Sequence, residues 1–258
     1  MDELAPISIL LAAGKGTRMA SDLPKVCHPV GGRPMVAAVV DACLDAGCGR
    51  VIAVVGYRQD LVREALAPFG DRVGFAEQAE QLGTGHAVRC AMPMLADEPD
   101  DVPVFVLCGD GPLIRSETLR TLLDRHRQTD ASATLASSVI EDPTGYGRIV
   151  RDADGRFVRI VEQANATPAE LEIHEVNPSY YCFRLGDLRR GLERVETNPV
   201  TGEQYITDIP EILLAGGGRV EVIDAVPPED VLSINTPEQL AVVDSIYRRR
   251  MGVAGGGA

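Results

Sequence analysis

The stretch LLAAGKGTRMASDLPKV, from Leu10 to Val26, decides how the rest of the chain is interpreted. It continues an apolar run, ISILLAA from Ile7 to Ala13, directly into a loop with two glycines and three cations, Lys15, Arg18 and Lys25. A continuous apolar run of this length is typical of a strand buried on both faces of a sheet. In open α/β sheets ligands bind just beyond the carboxyl ends of strands, so the basic loop lies where a ligand is expected.

The overall charge of the chain limits the kinds of partner to consider. The 258 residues include 25 Lys plus Arg and 38 Asp plus Glu, which gives a net charge of −13 and a pI near 4.8. A surface of this charge repels nucleic acid and anionic membranes, so neither is expected as a partner. The basic loop is therefore a local feature, and it indicates a small anionic ligand.

The cysteines and the chain ends indicate a compartment. The six cysteines form no C-x-x-C pair, and several lie in apolar patterns, where cysteine behaves as a small hydrophobe. The start, Met1-Asp2-Glu3, does not resemble a signal peptide, and no apolar run is long enough to cross a bilayer. We expect a reduced, cytoplasmic protein with a flexible Gly/Ala-rich tail at 252–258. Nothing in the pattern indicates an oligomeric state.

Apolar runs alternate with amphipathic helical patterns through the first 140 or so residues. RVIAVVG (50–56) and VPVFVLCGD (102–110) are typical of buried strands, and MVAAVVDACLDAG (35–47) has helical spacing that ends in a glycine. This alternation predicts a mostly parallel sheet with helices on both faces. The predicted fold class is α/β, a Rossmann-like three-layer α/β/α arrangement.

The alternation of apolar runs and helical patterns ends at about residue 141, and the sequence beyond it predicts more β-structure. GYGRIVRDADGRFVRIVEQ (145–163) is typical of a β-hairpin that turns at Asp154-Gly155, a favoured turn pair. EVNPSYYCF (175–183) is predicted to be one further strand. Thr236-Pro237-Glu238-Gln239 predicts the start of the last helix, with threonine as N-cap and proline at the first helical position.

The basic loop differs from the common phosphate-binding motifs. It lacks the G-x-x-x-x-G-K-[ST] of a Walker A loop, and Met19 stands where a dinucleotide fingerprint has its third glycine. A dinucleotide dehydrogenase is further disfavoured because Tyr57 and Arg58, not an acidic residue, follow the second strand. Gly14 and Gly16 still let the backbone bring N–H groups close to an anion. The residues alone indicate a polyphosphate loop, with a solvated basic turn as the alternative.

Several stretches occur in an order that resembles a known family. L-A-A-G-K-G-T-R-M followed by L-P-K is similar to the signature loop of the sugar-1-phosphate nucleotidylyltransferases. Within that family the chain resembles the N-acetylglucosamine-1-phosphate uridylyltransferases most, over nearly its whole length to about Arg250. The other stretches that carry the resemblance are EQAEQLGTGHAV (77–88), GDGPL (109–113), DPTGYGRI (142–149), VEQANAT (161–167), EVN (175–177), GEQYITDI (202–209) and IN (234–235).

The resemblance implies an activity and a division of the chain. The activity is transfer of a uridylyl group from UTP to N-acetylglucosamine 1-phosphate, by direct attack of the sugar phosphate on the α-phosphorus, with pyrophosphate as leaving group. The resemblance implies one nucleotidyltransferase domain over 1–251, with a nucleotide-binding part at about 1–140 and 230–251. A β-rich sugar-binding part is implied at about 141–229. The implied partners are small molecules, UTP and the sugar 1-phosphate.

The family's functional residues are matched position by position. Arg18 and Lys25 would be the catalytic cations, which neutralise charge as it shifts to the leaving pyrophosphate. Asp110 and Asn235 would hold Mg²⁺, a cation that prefers hard oxygen ligands, although an aspartate after a strand is by itself more often a turn former. The implied nucleotide-binding set is Leu11, Ala12, Ala13, Gly14, Lys25, Gln78, Gly83 and Thr84. The implied sugar-binding set is Gly147, Glu162, Asn177, Tyr205 and Thr207.

Alternatives stay open at the level of the substrate. Cys108, Gly111 and the segments 163–165 and 178–179 depart from the family pattern and cluster on the sugar side. The same chemistry on another hexose 1-phosphate or another NTP is therefore an alternative, although Gln78 favours uridine because an amide offers a donor and an acceptor. A second alternative is a catalytically weak regulatory protein that binds sugar nucleotides. The intact catalytic cations and metal ligands argue against it.

Overall fold

The computed structural model describes residues 3–252. Met1 and Asp2 at the chain start, and 253–258 of the predicted tail, lie outside the described residues. The strands are β1 (Ile7–Ala12), β2 (Pro29–Val30), β3 (Arg33–Pro34), β4 (Arg50–Val55), β5 (Val73–Glu77), β6 (Pro103–Cys108), β7 (Ala133–Val139), β8 (Gly147–Arg151), β9 (Phe157–Val161), β10 (Glu175–Asn177), β11 (Tyr180–Arg184) and β12 (Val220–Asp224). The α-helices are α1 (Met35–Asp45), α2 (Gln59–Leu66), α3 (Thr84–Ala91), α4 (Ser116–Gln128), α5 (Pro168–Leu171), α6 (Leu185–Arg194), α7 (Ile209–Ala215) and α8 (Pro237–Met251).

The large sheet has the strand order β5-β4-β1-β6-β11-β7-β10-β8-β9, with β12 paired to β7. β5, β4, β1 and β6 are mutually parallel, whereas β11 runs antiparallel between β6 and β7. The chain first adds β4 and β5 on one side of β1, and then crosses over to add β6 on the other side. β1 is therefore the topological switch point, beyond which α/β sheets bind their ligands. The predicted Rossmann-like α/β class is confirmed.

Each face of the sheet carries its own apolar core. Ile9 packs in the core that includes residues of α3, α6 and α7, whereas Leu10 packs in the core that includes residues of α1, α2 and α4. Both side chains are fully buried, because consecutive residues of a strand point to opposite faces. This explains the continuous apolar run in β1 and confirms helices on both faces. Cys43 and Cys182 are buried in the second of these cores as small hydrophobes.

A third, smaller core lies beneath the basic loop. Met19 is buried there and packs with Met35, Ile234 and Val243. The Ile234 N–H also donates to the backbone oxygen of Asp110 at 3.1 Å. An apolar anchor thus occupies the position at which a dinucleotide loop has its third glycine. The anchor fixes the segment before α8 beside the carboxyl end of β6.

One predicted strand is divided in the structure. The stretch EVNPSYYCF, predicted to be continuous, forms β10 and β11 with a break at Pro178-Ser179. Proline has no N–H for a strand ladder, and Ser179 adopts a positive φ of 64°. β10 pairs with β7 and β8, whereas β11 pairs with β6 and β7, so the break moves the chain across the sheet.

Two other predicted features of the second half, the hairpin and the start of the last helix, are confirmed. β8 and β9 form the antiparallel hairpin around Asp154-Gly155. α8 begins as predicted, because the Thr236 hydroxyl accepts from the Gln239 N–H at 3.3 Å and Pro237 is the first helical residue. Within residues 3–252, none of the helices combines the length and the apolar character that a membrane crossing needs.

Candidate active site at the carboxyl end of the sheet

The loop after β1 is shaped by glycine. Gly16 has a φ of +70°, and a Cβ at this position would lie 2.5 Å from the Cβ of Lys25. Glycine therefore lets the loop pack directly on the stem of Lys25 and fixes that side chain. Gly14 has open space where a Cβ would be, so a ligand can approach its backbone closely. Lys15 is engaged elsewhere, with Nζ 5.2 Å from the centre of the Tyr57 ring.

Four polar side chains from distant parts of the chain meet beyond β6. The Lys25 ammonium forms an ion pair with Asp110 and donates to Asn235 Oδ1 at 3.0 Å. Nη2 of Arg18 donates to the same oxygen of Asn235 at 2.9 Å. The residues predicted to be catalytic and those predicted to bind metal thus form a single cluster. We call it the cation cluster.

The oxygens of the cation cluster suit a hard cation. One oxygen of Asp110 and one of Asn235 converge on the same ammonium nitrogen, so both can reach a single positive ion. Mg²⁺ commonly takes one or two protein oxygens and completes its shell with water and phosphate. Within residues 3–252, no group of three or more His, Cys, Asp and Glu side chains is arranged to hold a metal. A Mg²⁺ ion at Asp110 and Asn235 would therefore depend on phosphate oxygens.

A cleft of about 260 Å³ opens on the β1 side of the cation cluster. We call it the nucleotide-side cleft, because every residue predicted to bind nucleotide lines it. The loop after β1 forms one wall and the start of α3 forms another. The predicted residues in its lining are Leu11, Ala12, Ala13, Gly14, Lys25, Gln78, Gly83 and Thr84.

The amide nitrogen of Gln78 contacts other protein groups, whereas its amide oxygen forms no hydrogen bond in the part of the chain that the structure describes. The side chain is 3% exposed, and its Nε2 donates to the Gly83 carbonyl at 3.0 Å and lies 3.1 Å from His86 Nδ1. The amide nitrogen therefore holds the loop before α3, while Oε1 has no hydrogen bond to residues 3–252. The prediction gave Gln78 both a donor and an acceptor role. In the structure the oxygen is the part left for a ligand.

The loop before α3 is fixed against the segment before α7. Gly83 has a φ of +100°, and a Cβ there would lie 2.5 Å from the carbonyl oxygen of Gln204. The Thr84 hydroxyl accepts from the Ile206 N–H at 3.0 Å. Gly83 itself takes the N-cap position of α3. The glycine is required by close packing as well as by its backbone angle.

A larger cleft of about 520 Å³ lies on the opposite side of the cation cluster. Cys108 and Asp110 line both clefts, so the two meet at the end of β6. We call the larger one the sugar-side cleft, because Gly147, Glu162 and Asn177 of the predicted sugar-binding set line it.

The other two residues predicted to bind sugar lie outside this lining. Thr207 is buried and does not line the sugar-side cleft, but its hydroxyl donates to Glu162 Oε1 at 3.0 Å. Tyr205 lines neither cleft, and its hydroxyl donates to Thr201 Oγ1 at 2.7 Å. Thr207 thus supports a residue of the cleft, whereas the structure does not bring Tyr205 to it.

Burial sets the protonation of two groups in the sugar-side cleft. It raises the pKa of Glu162, and the hydrogen bond from Thr207 opposes this rise by favouring the carboxylate. Burial and the nearby charge of Asp110 raise the pKa of the Cys108 thiol to about 12. Burial therefore favours the protonated form of Glu162 and the hydrogen bond from Thr207 its ionised form, whereas Cys108 is a neutral thiol.

Several residues that line the sugar-side cleft, among them Tyr146 and Gln239, were not in the predicted sugar-binding set. The Tyr146 hydroxyl donates to the Val231 carbonyl at 3.2 Å and ties this wall to the segment before α8. Oε1 of Gln239 accepts from the Asn235 N–H at 2.8 Å and positions that residue. Tyr146 lies within the stretch 142–149 that carries the family resemblance, so its position in the sequence was a signal for a place in the site. No pattern indicates the contact of Gln239, since it depends on where α8 begins.

A comparison with protein families matches residues 8–166 to a family described as MobA-like NTP transferase domain. The matched range contains Arg18, Lys25 and Asp110, whereas Asn235 lies beyond it. Three members of the cation cluster thus fall within the range matched to the family, and the fourth is supplied by the C-terminal part of the chain.

Curated proteins named "Bifunctional protein GlmU" are similar over almost all of this chain. The protein from Desulfotalea psychrophila is 44% identical over 242 residues, which are 94% of this chain and 70% of the relative. That from Thermoanaerobacter pseudethanolicus is 43% identical over 95% of this chain and 52% of the relative. That from Geobacter metallireducens is 45% identical over 97% of this chain and 52% of the relative. The chain thus spans about half the length of the last two relatives.

Proposed function

The chain belongs to the family of MobA-like NTP transferase domains and is a nucleotidyltransferase, and on this premise we propose that it transfers a uridylyl group from UTP to N-acetylglucosamine 1-phosphate. The products are UDP-N-acetylglucosamine and pyrophosphate. The observation that carries the proposal is the meeting of the two clefts at the cation cluster. A nucleotide in one cleft and a sugar phosphate in the other would bring their phosphates together at Lys25, Arg18 and Asp110.

The main barrier to this reaction is electrostatic. Two phosphorylated reactants repel each other, so positioning and neutralisation of charge dominate over covalent chemistry by the protein. Arg18 and Lys25 supply fixed positive charge, and the open backbone at Gly14 supplies N–H groups. The sugar phosphate oxygen attacks the α-phosphorus, the bond from the α-phosphorus to the bridging oxygen breaks, and pyrophosphate leaves with the electron pair.

Asp110 and Asn235 would hold Mg²⁺ in this reaction. When bound, the ion supplies charge neutralisation on the phosphate oxygens and a template for their orientation. The chain's own contribution is to fix the two oxygens. Two hydrogen bonds hold these oxygens in place. One joins the Ile234 N–H to the backbone oxygen of Asp110, and the other joins the Asn235 N–H to Oε1 of Gln239.

The uracil of the nucleotide and the sugar of the sugar phosphate each have polar groups of the protein to bind them. Gln78 Oε1, which has no hydrogen bond to residues 3–252, can accept from the imide N–H of uracil. Glu162 can accept from sugar hydroxyls while it is ionised, and Asn177 can bond to hydroxyl or amide groups. The sugar-side cleft, at about 520 Å³, has room for a substituted hexose.

The proposal is tested by a screen of pyrophosphate release. The four NTPs are combined with a panel of hexose and N-acetylhexosamine 1-phosphates, with Mg²⁺ and with a chelator. We expect turnover with UTP and N-acetylglucosamine 1-phosphate that the chelator abolishes, and no Mg²⁺-dependent turnover in Asp110→Ala. Preference for another NTP or another sugar phosphate would refute the specific assignment, and no release with any pair would refute nucleotidyl transfer to sugars.

The product's configuration gives a separate check. Attack at phosphorus leaves the bond between the anomeric carbon and its oxygen intact, so the sugar configuration should be retained. NMR spectroscopy of the anomeric proton measures this directly. An inverted product would contradict attack at phosphorus.

A further inference from the structure

Arg148 is a buried cation without a carboxylate partner. The residue is 2% exposed, and no Asp or Glu of residues 3–252 forms an ion pair with it. Its guanidinium donates to the Tyr146 carbonyl and reaches Gln163 Oε1 at 3.4 and 3.5 Å, while its Nε has no partner in the described chain. A buried guanidinium usually pairs with a carboxylate, because an uncompensated buried charge is costly. Here a neutral amide takes that place.

The orientation of the Gln163 amide follows from its neighbours. The Gly145 N–H and both terminal nitrogens of Arg148 are directed at one atom of the amide. Only an oxygen can accept from these donors, so that atom is Oε1 and Nε2 lies away from Arg148. The oxygen thereby holds Gly145, which lines the sugar-side cleft together with Gly147.

The amide nitrogen of Gln163 is available to a ligand. Gln163 lines the sugar-side cleft, and its Nε2 has no hydrogen bond to residues 3–252. Glu162, the neighbouring residue in the same lining, offers only acceptors while ionised. We infer that Gln163 is a specificity-determining residue, whose Nε2 donates to an acceptor oxygen of the sugar 1-phosphate while its Oε1 orders the cleft wall. The inference rests on the proposed function, because it takes a sugar phosphate as the ligand.

Substitution of Gln163 by glutamate tests the role of the amide nitrogen separately from that of the amide oxygen. Gln163→Glu keeps the shape and the acceptor toward Gly145 and Arg148, and it replaces the donor by a second acceptor. We expect a higher melting temperature, since the carboxylate compensates the charge of Arg148. We expect the KM for the sugar 1-phosphate to rise about tenfold, with kcat little changed, because a ground-state hydrogen bond is lost.

UTP and a second variant control for the added charge. UTP carries more negative charge than the sugar 1-phosphate, so general repulsion would raise its KM as well, whereas loss of a donor would not. Gln128→Glu adds the same charge at the exposed C-terminal end of α4, and it should change neither KM. The measurements are steady-state kinetics with each substrate varied and thermal unfolding of all three proteins.

Three results would overturn the inference about Gln163. An unchanged KM for the sugar 1-phosphate would overturn the inference and would leave Gln163 facing the shallower pocket of about 290 Å³ that Arg148, Glu172 and His174 also line. A parallel rise in both KM values would overturn it, and so would a lower melting temperature, which would contradict the amide orientation. If the wild-type protein releases no pyrophosphate, the proposed function fails separately. Calorimetric titration of the sugar 1-phosphate into both proteins then decides the role of Gln163.

Discussion

Lys25 Nζ lies 3.0 Å from Asn235 Oδ1, and the same ammonium forms an ion pair with Asp110. The positive nitrogen therefore lies between the two oxygens that are proposed to hold Mg²⁺. A divalent ion and the ammonium cannot share these oxygens without strong repulsion at such short separations. Binding of the metal should thus displace Lys25 toward the triphosphate, where its charge is needed.

The first prediction is that Lys25→Met binds divalent cations more tightly than the wild-type protein. The substitution removes the competing ammonium and keeps most of the stem that packs on Gly16. The dissociation constant for Mn²⁺ without nucleotide, measured by electron paramagnetic resonance, should fall about tenfold or more. Turnover should fall at the same time, because the triphosphate loses a cation.

Lysine itself provides the control for this prediction. The sequence contains two lysines, Lys15 and Lys25. Lys15→Met should leave the Mn²⁺ affinity unchanged, since its ammonium lies against Tyr57. In the wild-type protein labelled with ¹⁵N-lysine, Mg²⁺ should shift the side-chain signal of Lys25 and not that of Lys15. Equal Mn²⁺ affinity in Lys25→Met and the wild type would contradict the competition.

The strands, helices and turns with local signals were predictable from the sequence. The continuous run in β1, the helical spacing of α1 and the turn pair at Asp154-Gly155 each depend on residues close in the chain. The loop glycines could likewise be predicted, since Gly16 and Gly83 adopt backbone angles that disfavour other residues. These features do not require knowledge of which elements become neighbours.

Features that depend on neighbours could not be predicted in the same way. Pro178 is a local signal for the break between β10 and β11, but no pattern in EVNPSYYCF specifies the change of partner strands that accompanies it. Tyr205 was predicted to line the sugar side, but its direction depends on how the segment before α7 packs against α3. The contact between Arg148 and Gln163 joins two ends of a hairpin, so it becomes visible only once the register is known.

The second prediction concerns the pH dependence of sugar binding. The hydroxyl of Thr207 donates to Glu162 and favours its charged form, so it lowers a pKa that burial raises. Thr207→Val should therefore raise the pKa of Glu162 further. Fewer molecules then carry the ionised acceptor at acidic pH, and the acidic limb of kcat/KM for the sugar 1-phosphate should move to higher pH.

Two comparisons make this prediction specific. The kcat/KM for UTP should keep its wild-type pH profile, because Glu162 lines the sugar-side cleft and Thr207 contacts Glu162 there. Thr207→Ser, which keeps the hydroxyl, should restore the wild-type limb. A pH profile of Thr207→Val that coincides with that of the wild type at every pH would show that Glu162 does not need its charge.

The third prediction concerns the anchoring of Asn235. Asp230 is 1% exposed and forms ion pairs with Arg115 and Arg250, and its backbone oxygen accepts from the Tyr180 hydroxyl at 3.3 Å. Asp230→Asn should lower the free energy of unfolding by about 2–3 kcal/mol, less than for a fully buried pair because both arginines are partly exposed. The segment that leads to Asn235 should loosen, and the Mn²⁺ dissociation constant should rise several-fold.

Glu229 offers a matched control for this prediction. It also pairs with Arg250, at 3.1 Å, but its side chain is 45% exposed. Glu229→Gln should therefore cost less than about 1 kcal/mol in urea denaturation and should leave the Mn²⁺ affinity unchanged. If the two variants were equally stable, the burial of Asp230 would have no energetic consequence and the anchoring role would be wrong.

The fourth prediction concerns how stability changes as the pH rises through about 6. Burial, and then the charges of Glu211 and Glu162, raise the pKa of Asp208 from 3.8 to about 6. The folded protein thus binds this proton more tightly than the unfolded chain. The resulting stabilisation is fully present below pH 3.8 and is lost as the pH rises through about 6. Above that pH, Asp208→Asn should be more stable than the wild type. The gain should be only about 1 kcal/mol, since solvent screens a half-buried carboxylate.

Thermal unfolding across this pH range should show the gain of Asp208→Asn fading as the pH falls, whereas Asp71→Asn, at an exposed position, should show no such trend. A gain independent of pH would mean that the carboxylate of Asp208 is not destabilised by its surroundings.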